Sequence, residues 1–340
     1  MRRLAPPLAL AIAVAVTAAV LAACGEVKNT LNPPPGSADS LTLMLDYFPN
    51  ADHVGIYAAQ ADGYFRQADL NVHIEAPTNA ATPLQLLAAG KVDVAISYEP
   101  DVLLARNQNT PLVSVAALVQ RPLTAIVSLG RKHIRSPADL RGKTVGDSGI
   151  PYQHAFLQTI LQTAGVPLHS VREVNVGEGL VPAMVSGRVD ATLGAYWNYE
   201  AIELAQLHKH PRVIHMDQAG VPTYDELVFV VRKATIVDHP GLIRRFVQAV
   251  ARGYAAARAN PAHAVDQLLS ANPGLDRKLQ LASVRATLSS FFPGGGHPWG
   301  WQSPEQWNAF GTWMAHEGLI HNPNALPGAS TNELLAGQGI

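Results

Sequence analysis

The chain has 340 residues, a hydrophobic content of 48% and a formal net charge of -1 at pH 7. This length suits two domains, since about 150 residues per domain is a usual prior. The near-zero charge offers no clustered basic footprint, so we predict no nucleic-acid partner. The sequence also lacks the H-E-x-x-H, paired C-x-x-C and G-x-x-x-x-G-K-[ST] motifs. We therefore predict no metal site and no nucleotide-hydrolase function.

The first residues have the parts of an export signal. Arg2 and Arg3 precede an apolar run from Leu8 to Val20, and small residues lead directly to Cys24, the single cysteine. A charged start, an apolar core and small residues before a processing point are typical of a secretory signal. The L-A-A-C end resembles a bacterial lipobox, which implies a lipoprotein signal peptide over residues 1–23 and a lipidated Cys24. A plain signal peptide or an uncleaved helix is the alternative, although the run is short for a membrane span.

A proline-rich segment follows the cysteine. Residues 24–40 include N-P-P-P-G-S and little apolar material. Because proline-rich segments act as semi-rigid spacers, we predict a tether here. Acyl chains on Cys24 would make the membrane a partner of this chain. The predicted location is therefore outside the cytoplasm, anchored to the cell membrane and facing the periplasm or cell exterior.

One short motif occurs twice along the rest of the chain. Gly90-Lys91-Val92-Asp93 corresponds to Gly187-Arg188-Val189-Asp190. In each copy an apolar helical run ends at a glycine suited to a helix C-cap, and a short apolar strand begins after the aspartate. Strand and helix candidates alternate from Leu41, and the alternation restarts at Ser136. This pattern predicts two α/β lobes.

The lobe boundaries follow from where strand candidates stop. These candidates are residues 41–45, 71–74, 92–96, 112–119, 123–129, 143–145, 171–174, 191–193 and 226–231. Everything after Pro240 has a helical pattern and supplies no further sheet, so we expect it to pack on the first lobe. We predict lobe 1 over residues 41–130 plus 232–340 and an inserted lobe 2 over 131–231. The chain then crosses between the lobes twice, which forms a hinge.

Polar and aromatic residues cluster just beyond the predicted strand ends, where ligands bind in open α/β sheets. The candidate ligand-binding residues are Asp46, Tyr47, Phe48, Asn50, His53, Ser97, Tyr98, Glu99, Ser148, Gly149, Tyr152, Tyr196, Trp197, Asn198, Glu200, Tyr224 and Asp225. Aromatic faces stack on flat rings, and carboxylates accept hydrogen bonds from amino or ring N–H groups. For each residue taken alone, helix capping or core packing is an alternative explanation. Asp101, Asp147 and Glu226 add further carboxylates, while only His53 and Arg106 are nearby basic candidates. The clusters therefore predict a flat ligand that carries N–H donors, and no covalent chemistry is needed.

Several of these segments resemble one known family. They are Leu45-Asp46-Tyr47-Phe48-Pro49-Asn50 with His53, Gly63-Tyr64-Phe65, the G-K-V-D motif, Gly149-Ile150-Pro151 and Gly194-Ala195-Tyr196-Trp197-Asn198. They look like the NMT1/THI5-like solute-binding proteins of ABC transporters, and most like the binders of the thiamine-pyrimidine precursors formyl-aminopyrimidine and hydroxymethylpyrimidine. The G-K-V-D and G-Y-F pieces are shared with sulfonate, nitrate and taurine binders. A ligand of the riboflavin, sulfonate or nitrate class is therefore the alternative.

The resemblance carries expectations about fold and partners. It implies a type II periplasmic-binding-protein fold, with two α/β lobes on a two-crossing hinge and a helical C-terminal tail. It also implies a monomer without a cofactor that delivers a small-molecule ligand to an ABC permease and its ATPase.

The same group includes an enzyme, the yeast-type pyrimidine synthase. Its cofactor lysine and reacting histidine align with Ser97 and Asp101 here, and its cysteine-rich motif is missing. We therefore predict a binding protein rather than an enzyme, with the synthase as the alternative.

Overall fold

The computed structural model describes residues 38–79, 81–292 and 294–338. The predicted signal peptide, Cys24 and most of the predicted tether lie outside these ranges. Within them, no helix combines the length and the apolar character that crossing a membrane requires.

The strands form two five-stranded sheets, in the orders β2-β1-β3-β10-β4 and β7-β6-β8-β5-β9. The strands are β1 (Asp39–Met44), β2 (Leu70–Glu75), β3 (Val94–Ser97), β4 (Leu112–Val119), β5 (Thr124–Leu129), β6 (Thr144–Asp147), β7 (Arg172–Asn175), β8 (Ala191–Tyr196), β9 (Pro211–His215) and β10 (Leu227–Arg232). In each sheet the first three strands are parallel, and the fourth runs antiparallel to both neighbours. The two-lobe α/β fold is therefore confirmed.

Helices cover the sheets and form the C-terminal tail. They are α1 (Val54–Ala61), α2 (Tyr64–Gln67), α3 (Thr82–Ala88), α4 (Glu99–Asn107), α5 (Pro151–Thr163), α6 (Leu180–Ser186), α7 (Glu200–Gln206), α8 (Lys233–Asp238), α9 (Pro240–Ala259), α10 (Pro261–Ala271), α11 (Arg277–Thr287) and α12 (Pro304–His316). Short 3-10 turns cover Ala51–His53 and Pro137–Leu140. The predicted helical tail is confirmed.

The repeated motif builds the same joint in both lobes. Gly90 and Gly187 each follow a helix in the left-handed region, with φ of 69° and 80°. The motif's aspartates then bind the neighbouring strand: Asp93 Oδ2 accepts from the backbone N–H of Thr42 at 2.8 Å, and Asp190 Oδ2 accepts from that of Thr144 at 2.9 Å. The motif therefore closes each helix and aligns the strand that follows it.

The chain crosses between the sheets over residues 120–123 and 216–226. The predicted boundaries differ from the sheets by one strand each. β5 pairs with β8 and β9 in the second sheet, although residues 124–129 were expected in lobe 1. β10 pairs with β3 and β4 in the first sheet, although residues 227–231 were expected in lobe 2. A fully buried apolar strand carries no sequence signal that identifies the partner across the hinge.

The tail packs on more than the first lobe. α9 lies on α1 and α2, and the ring of Phe246 on α9 stacks on that of Phe65 on α2 with centroids 5.9 Å apart. α12 instead reaches α5 of the second lobe: Trp313 stacks on Phe156 at 5.4 Å and donates from Nε1 to Thr159 Oγ1 at 3.2 Å. Because Tyr224 of the second crossing also stacks on Phe156, α12, α5 and this crossing share one aromatic cluster.

Candidate functional site

A cavity of about 580 Å³ lies between the two lobes, at the carboxyl ends of several strands. Its first-lobe residues are Asp46, Tyr47, Phe48, Asn50, Asp52, Asn79, Ala81, Tyr98, Glu226 and Leu279. Its second-lobe residues are Thr124, Ser148, Ile150, Tyr152, Gln153, Glu178, Leu180, Val181, Pro182, Gly194, Tyr196, Tyr199, Glu200 and Glu203. Ligand pockets in proteins commonly have volumes of about 300 to 1,000 Å³. The cavity is therefore of a size to enclose a small molecule.

Asp46 follows β1 and is held from two sides. Its Oδ1 is 2.8 Å from Nε2 of His53, and its Oδ2 accepts from the hydroxyl of Tyr98 at 3.1 Å. The backbone N–H of Asn50 donates to Nδ1 of the same histidine at 3.2 Å. Nδ1 is therefore an acceptor, and Nε2 carries the hydrogen that binds Asp46. His53 is fully buried behind Asp46, where it positions this carboxyl group.

Aromatic side chains from both lobes meet at one side of the cavity. The ring centroids of Tyr47 and Phe48 are 4.2 Å apart, and those of Phe48 and Tyr199 are 6.2 Å apart in an edge-to-face arrangement. Phe48 is 41% exposed although it is large and apolar. Burial, together with a hydrogen bond to Glu178, raises the pKa of the Tyr47 hydroxyl. These rings supply flat apolar faces that a planar ligand can stack on.

Glu200 is the first residue of α7 and faces the same cavity. Its Oε2 accepts from the backbone N–H of Tyr196 at 2.7 Å, which fixes the carboxyl group against the end of β8. Burial raises the pKa of Glu200 to about 7, against the opposing effect of that hydrogen bond. When deprotonated, the group only accepts hydrogen bonds, so it can bind an N–H donor of a ligand.

Glu226 lies where the two crossings meet. Its Oε2 accepts from the backbone N–H groups of Leu123 and Thr124 at 2.7 and 2.9 Å and from the hydroxyl of Tyr224 at 3.1 Å. Its Oε1 accepts from the hydroxyls of Thr124 and Tyr196 at 3.0 and 3.2 Å. Burial raises its pKa. The Glu226 side chain thus connects the second crossing to the end of the first crossing by hydrogen bonds.

The carboxyl groups of the described lining give the cavity a negative charge. Its carboxyl groups belong to Asp46, Asp52, Glu178, Glu200, Glu203 and Glu226, and the described lining contains no Lys, Arg or His. Such a cavity disfavours anions and favours ligands that present N–H donors. In the described ranges, no cluster of three or more His, Cys, Asp or Glu is arranged to hold a metal ion.

Nine of the predicted residues line the cavity, namely Asp46, Tyr47, Phe48, Asn50, Tyr98, Ser148, Tyr152, Tyr196 and Glu200. The other predicted residues lie away from the lining in the structure, namely His53, Ser97, Glu99, Gly149, Trp197, Asn198, Tyr224 and Asp225. Each has a structural partner instead, as His53 has in Asp46.

Several of these partners hold the hinge region together. Trp197 donates from Nε1 to the carbonyl of Pro122 at 2.9 Å, so its ring lies against the first crossing. Glu99 Oε2 accepts from the backbone N–H of Asp225 at 2.7 Å, and Asp225 Oδ2 accepts from Nε1 of Trp307 at 2.9 Å. Tyr224 donates to Glu226 as described above.

The other predicted residues that do not line the cavity have partners within their own lobe or in the other lobe. Ser97 is paired with Val228 inside the first sheet. The backbone N–H of Gly149 donates to Oδ1 of Asp147 at 2.7 Å in the turn before α5. Asn198 is fully buried and bonds to the other lobe through Asp52.

Several lining residues were not predicted from the sequence. Asp52 follows the predicted Asp46–Asn50 cluster, and its backbone N–H donates to the Oδ1 of Asn50, which caps this turn, at 2.8 Å. Glu178 follows the end of β7, so the strand-end rule that identified the other clusters applies to it as well. Leu279 lies on α11, far along the chain, and no local pattern connects it to the cleft.

The fold matches that of solved solute-binding proteins. The structure of the alkanesulfonate-binding protein SsuA from Xanthomonas axonopodis pv. citri bound to MOPS aligns with a TM-score of 0.66 at 15% identity, covering 87% of this chain and 99% of that one. The fold is therefore that of the periplasmic solute-binding proteins of ABC importers.

The family follows from sequence similarity. The family described as NMT1/THI5 like matches residues 50–264. A formylaminopyrimidine-binding protein from Halalkalibacterium halodurans is 37% identical over 286 residues, which cover 83% of this chain and 86% of that protein. The chain therefore belongs to the NMT1/THI5-like family.

An enzyme is a more distant relative. The 4-amino-5-hydroxymethyl-2-methylpyrimidine phosphate synthase of Legionella pneumophila is 26% identical over 254 residues, covering 74% of this chain and 79% of the enzyme. Together these matches support an ABC-type substrate-binding role over an enzymatic one.

Proposed function

We propose that this protein is the extracytoplasmic solute-binding component of an ABC importer and that its ligand is a flat aminopyrimidine precursor of thiamine. The observation that carries the proposal is the cavity between the lobes, which combines aromatic faces with carboxyl groups and no basic side chain in its described lining. An aminopyrimidine is planar and presents exocyclic N–H donors, so it matches both properties. The 37% identity to a formylaminopyrimidine-binding protein points to the same ligand class.

The contacts of such a ligand follow from the lining. Tyr47 and Tyr98 offer faces for stacking, worth about 0.5 to 1.5 kcal/mol per aromatic pair beyond burial. Glu200 is the acceptor we assign to the exocyclic amino group, and a hydrogen bond to a charged group contributes about 1.5 to 3 kcal/mol. One stacked pair and two such bonds supply much of the roughly 8 kcal/mol behind micromolar affinity.

Delivery and anchoring complete the proposal. The lobes would close on the ligand and present it to a permease with a cytoplasmic ATPase, and lipid on Cys24 would keep the domain at the membrane. Intact-mass analysis of the protein from a membrane fraction tests the anchor. Two or more acyl chains on Cys24 are expected, and a free thiol at that residue would contradict it.

Calorimetry tests the ligand class. We expect formyl-aminopyrimidine or hydroxymethylpyrimidine to bind with one-to-one stoichiometry and to be recovered unchanged, whereas thiamine, riboflavin and an alkanesulfonate bind weakly or not at all. Replacement Glu200→Ala should weaken pyrimidine binding by roughly ten- to a hundred-fold, the equivalent of about 1.4 to 3 kcal/mol. Glu75→Ala, which truncates an exposed glutamate of β2, is the matched control and should leave affinity unchanged. Binding of the sulfonate but of neither pyrimidine would refute the ligand assignment, and release of a chemically altered pyrimidine would refute the binding role.

A further inference from the structure

Asp52 lies in the 3-10 turn after β1 and lines the cavity, yet only 1% of it is exposed. Its backbone is held from both sides, because its N–H donates to Asn50 Oδ1 at 2.8 Å and its carbonyl accepts from the hydroxyl of Tyr254 on α9. Its side-chain Oδ1 accepts from Nδ2 of Asn198, in the other lobe, at 2.8 Å. Among the described residues, no donor or acceptor binds Oδ2.

The groups that face Asp52 are acidic or neutral. The nearby carboxyl groups belong to Asp46 at the end of β1, Glu200 on α7 and Glu226 before β10. His53, on the same turn, has its Nε2 hydrogen bonded to Asp46. The other facing side chains are Tyr199, Tyr254, Asn198 and, through Asn198, Thr287 of α11.

This environment disfavours a negative charge on Asp52. Burial, followed by the charge of Asp46, raises the pKa of Asp52 well above its ordinary value, and the bond from Asn198 offsets this only in part. A protonated carboxyl group has one carbonyl oxygen and one O–H donor. Asn198 binds Oδ1 as an acceptor, so the O–H belongs on Oδ2, the oxygen without a protein partner.

We propose that Asp52 is a specificity-determining residue that acts as a neutral acid, donating its O–H to an acceptor atom of the ligand such as a pyrimidine ring nitrogen. This inference rests on the proposed function. The cavity then recognises two complementary features of one ring. Glu200 accepts from the amino group, and Asp52 donates to the ring nitrogen. A flat ligand with N–H donors but no acceptor at that position would be discriminated against, since a buried polar group would be left unpaired.

Asp52 also connects this contact to the position of the lobes. Its Oδ1 partner Asn198 additionally donates to Thr287 Oγ1 at 2.8 Å, so one amide of the second lobe is tied to two elements of the first. A ligand that fixes the Asp52 side chain therefore also stabilises the hydrogen bond between Asp52 and Asn198, which joins the two lobes.

The test compares an isosteric donor with an isosteric side chain that cannot donate. Asp52→Asn keeps a neutral donor and an acceptor for Asn198, whereas Asp52→Leu removes both. Asn198→Ala is the control for the interlobe bond, because it leaves the Asp52 carboxyl group in place. Thermal unfolding of each variant reports whether it is folded.

Calorimetry with formyl-aminopyrimidine and hydroxymethylpyrimidine between pH 6 and pH 9 is the first readout. We expect wild-type affinity to fall with rising pH once Asp52 loses its proton, an alkaline fall that is separate from the ionisation of Glu200, which every variant retains. Asp52→Asn should bind within about three-fold of wild type near neutral pH and lose this alkaline fall, while Asp52→Leu should bind at least ten-fold more weakly than both. Asn198→Ala should bind more weakly but keep the alkaline fall.

The second readout needs no ligand. The carboxyl ¹³C shift of Asp52, assigned by comparison with Asp52→Asn, is expected to be that of a protonated acid at pH 7 in the free protein. A deprotonated shift, or tight binding by wild type with Asp52→Asn as weak as Asp52→Leu, would overturn this inference and leave the proposed function intact. Failure of wild type to bind either pyrimidine would overturn both.

Discussion

Replacement of Glu226 tests most directly whether its hydrogen bonds stabilise the hinge. In Glu226→Ala, two backbone N–H groups and three hydroxyls in and beside the crossings lose their acceptor. Each buried donor left unpaired costs about 1 to 3 kcal/mol. Two effects reduce the total: the hydroxyls can rotate toward other partners, and the variant no longer pays the desolvation penalty of a buried carboxyl group. We expect a net loss of about 3 to 5 kcal/mol in the free energy of unfolding.

Glu226→Gln separates hydrogen bonding from charge. Its amide oxygen can occupy the Oε2 position and keep the N–H donors of Leu123 and Thr124. Its NH₂ group then faces the hydroxyls at the Oε1 position, which can turn to accept. The loss should therefore stay near 1 kcal/mol.

Urea unfolding followed by circular dichroism measures these differences, with the midpoint changing and the slope unchanged. Glu75→Ala is again the control and should stay within about 0.5 kcal/mol of wild type. If Glu226→Ala is as stable as this control, or Glu226→Gln is as unstable as Glu226→Ala, the hinge does not depend on these bonds.

Two further predictions concern stability. Burial raises the pKa of Asp225 to about 7, so the folded protein binds a proton that the unfolded chain releases near pH 4, and stability should fall as pH rises from about 4 to 7, by up to about 1.4 kcal/mol per unit for this group. Melting temperatures across that range measure the slope, which Asp225→Asn should reduce; an equal slope in the variant would count against the assignment. Second, Gly253→Ala should destabilise the protein by about 1 to 3 kcal/mol or more, because its Cβ would lie 1.9 Å from the carbonyl oxygen of Gly55 on α1. Gly241→Ala, on the same helix with open space around it, should be neutral or stabilising by up to about 1 kcal/mol, and equal effects of the two changes would show that α9 and α1 do not pack this closely.

Local patterns predicted most of the secondary structure, because strand and helix periodicity depends on neighbouring residues alone. The apolar run at Leu112–Val119 is β4 with the predicted bounds, and β5 at Thr124–Leu129 is within one residue of the predicted strand at 123–129. β9 at Pro211–His215 was missed, since it is a partly buried edge strand that mixes basic and apolar residues. The assignment of β5 and β10 to their sheets also failed, since pairing across the hinge is decided by distant strands.

The residues of the cleft were also predicted only in part. The strand-end rule located Asp46, Tyr47, Tyr98, Tyr196 and Glu200, because the carboxyl ends of parallel strands meet at one edge. That rule gives a position along the chain but no side-chain direction, so Trp197, which follows the same strand, packs on the first crossing instead.

By itself, the sequence determined the two-lobe plan, the repeated joint at Gly90 and Gly187, and the acidic and aromatic character of the cleft, since all three depend on local composition and spacing. Only the tertiary structure decided which carboxyl groups face the cavity and which serve the scaffold. Asp225 and Glu226 are adjacent in sequence, yet Glu226 lines the cavity while Asp225 accepts a hydrogen bond from Trp307 on α12. The protonation of each carboxyl group depends on burial and on charges from distant segments, which no local pattern specifies.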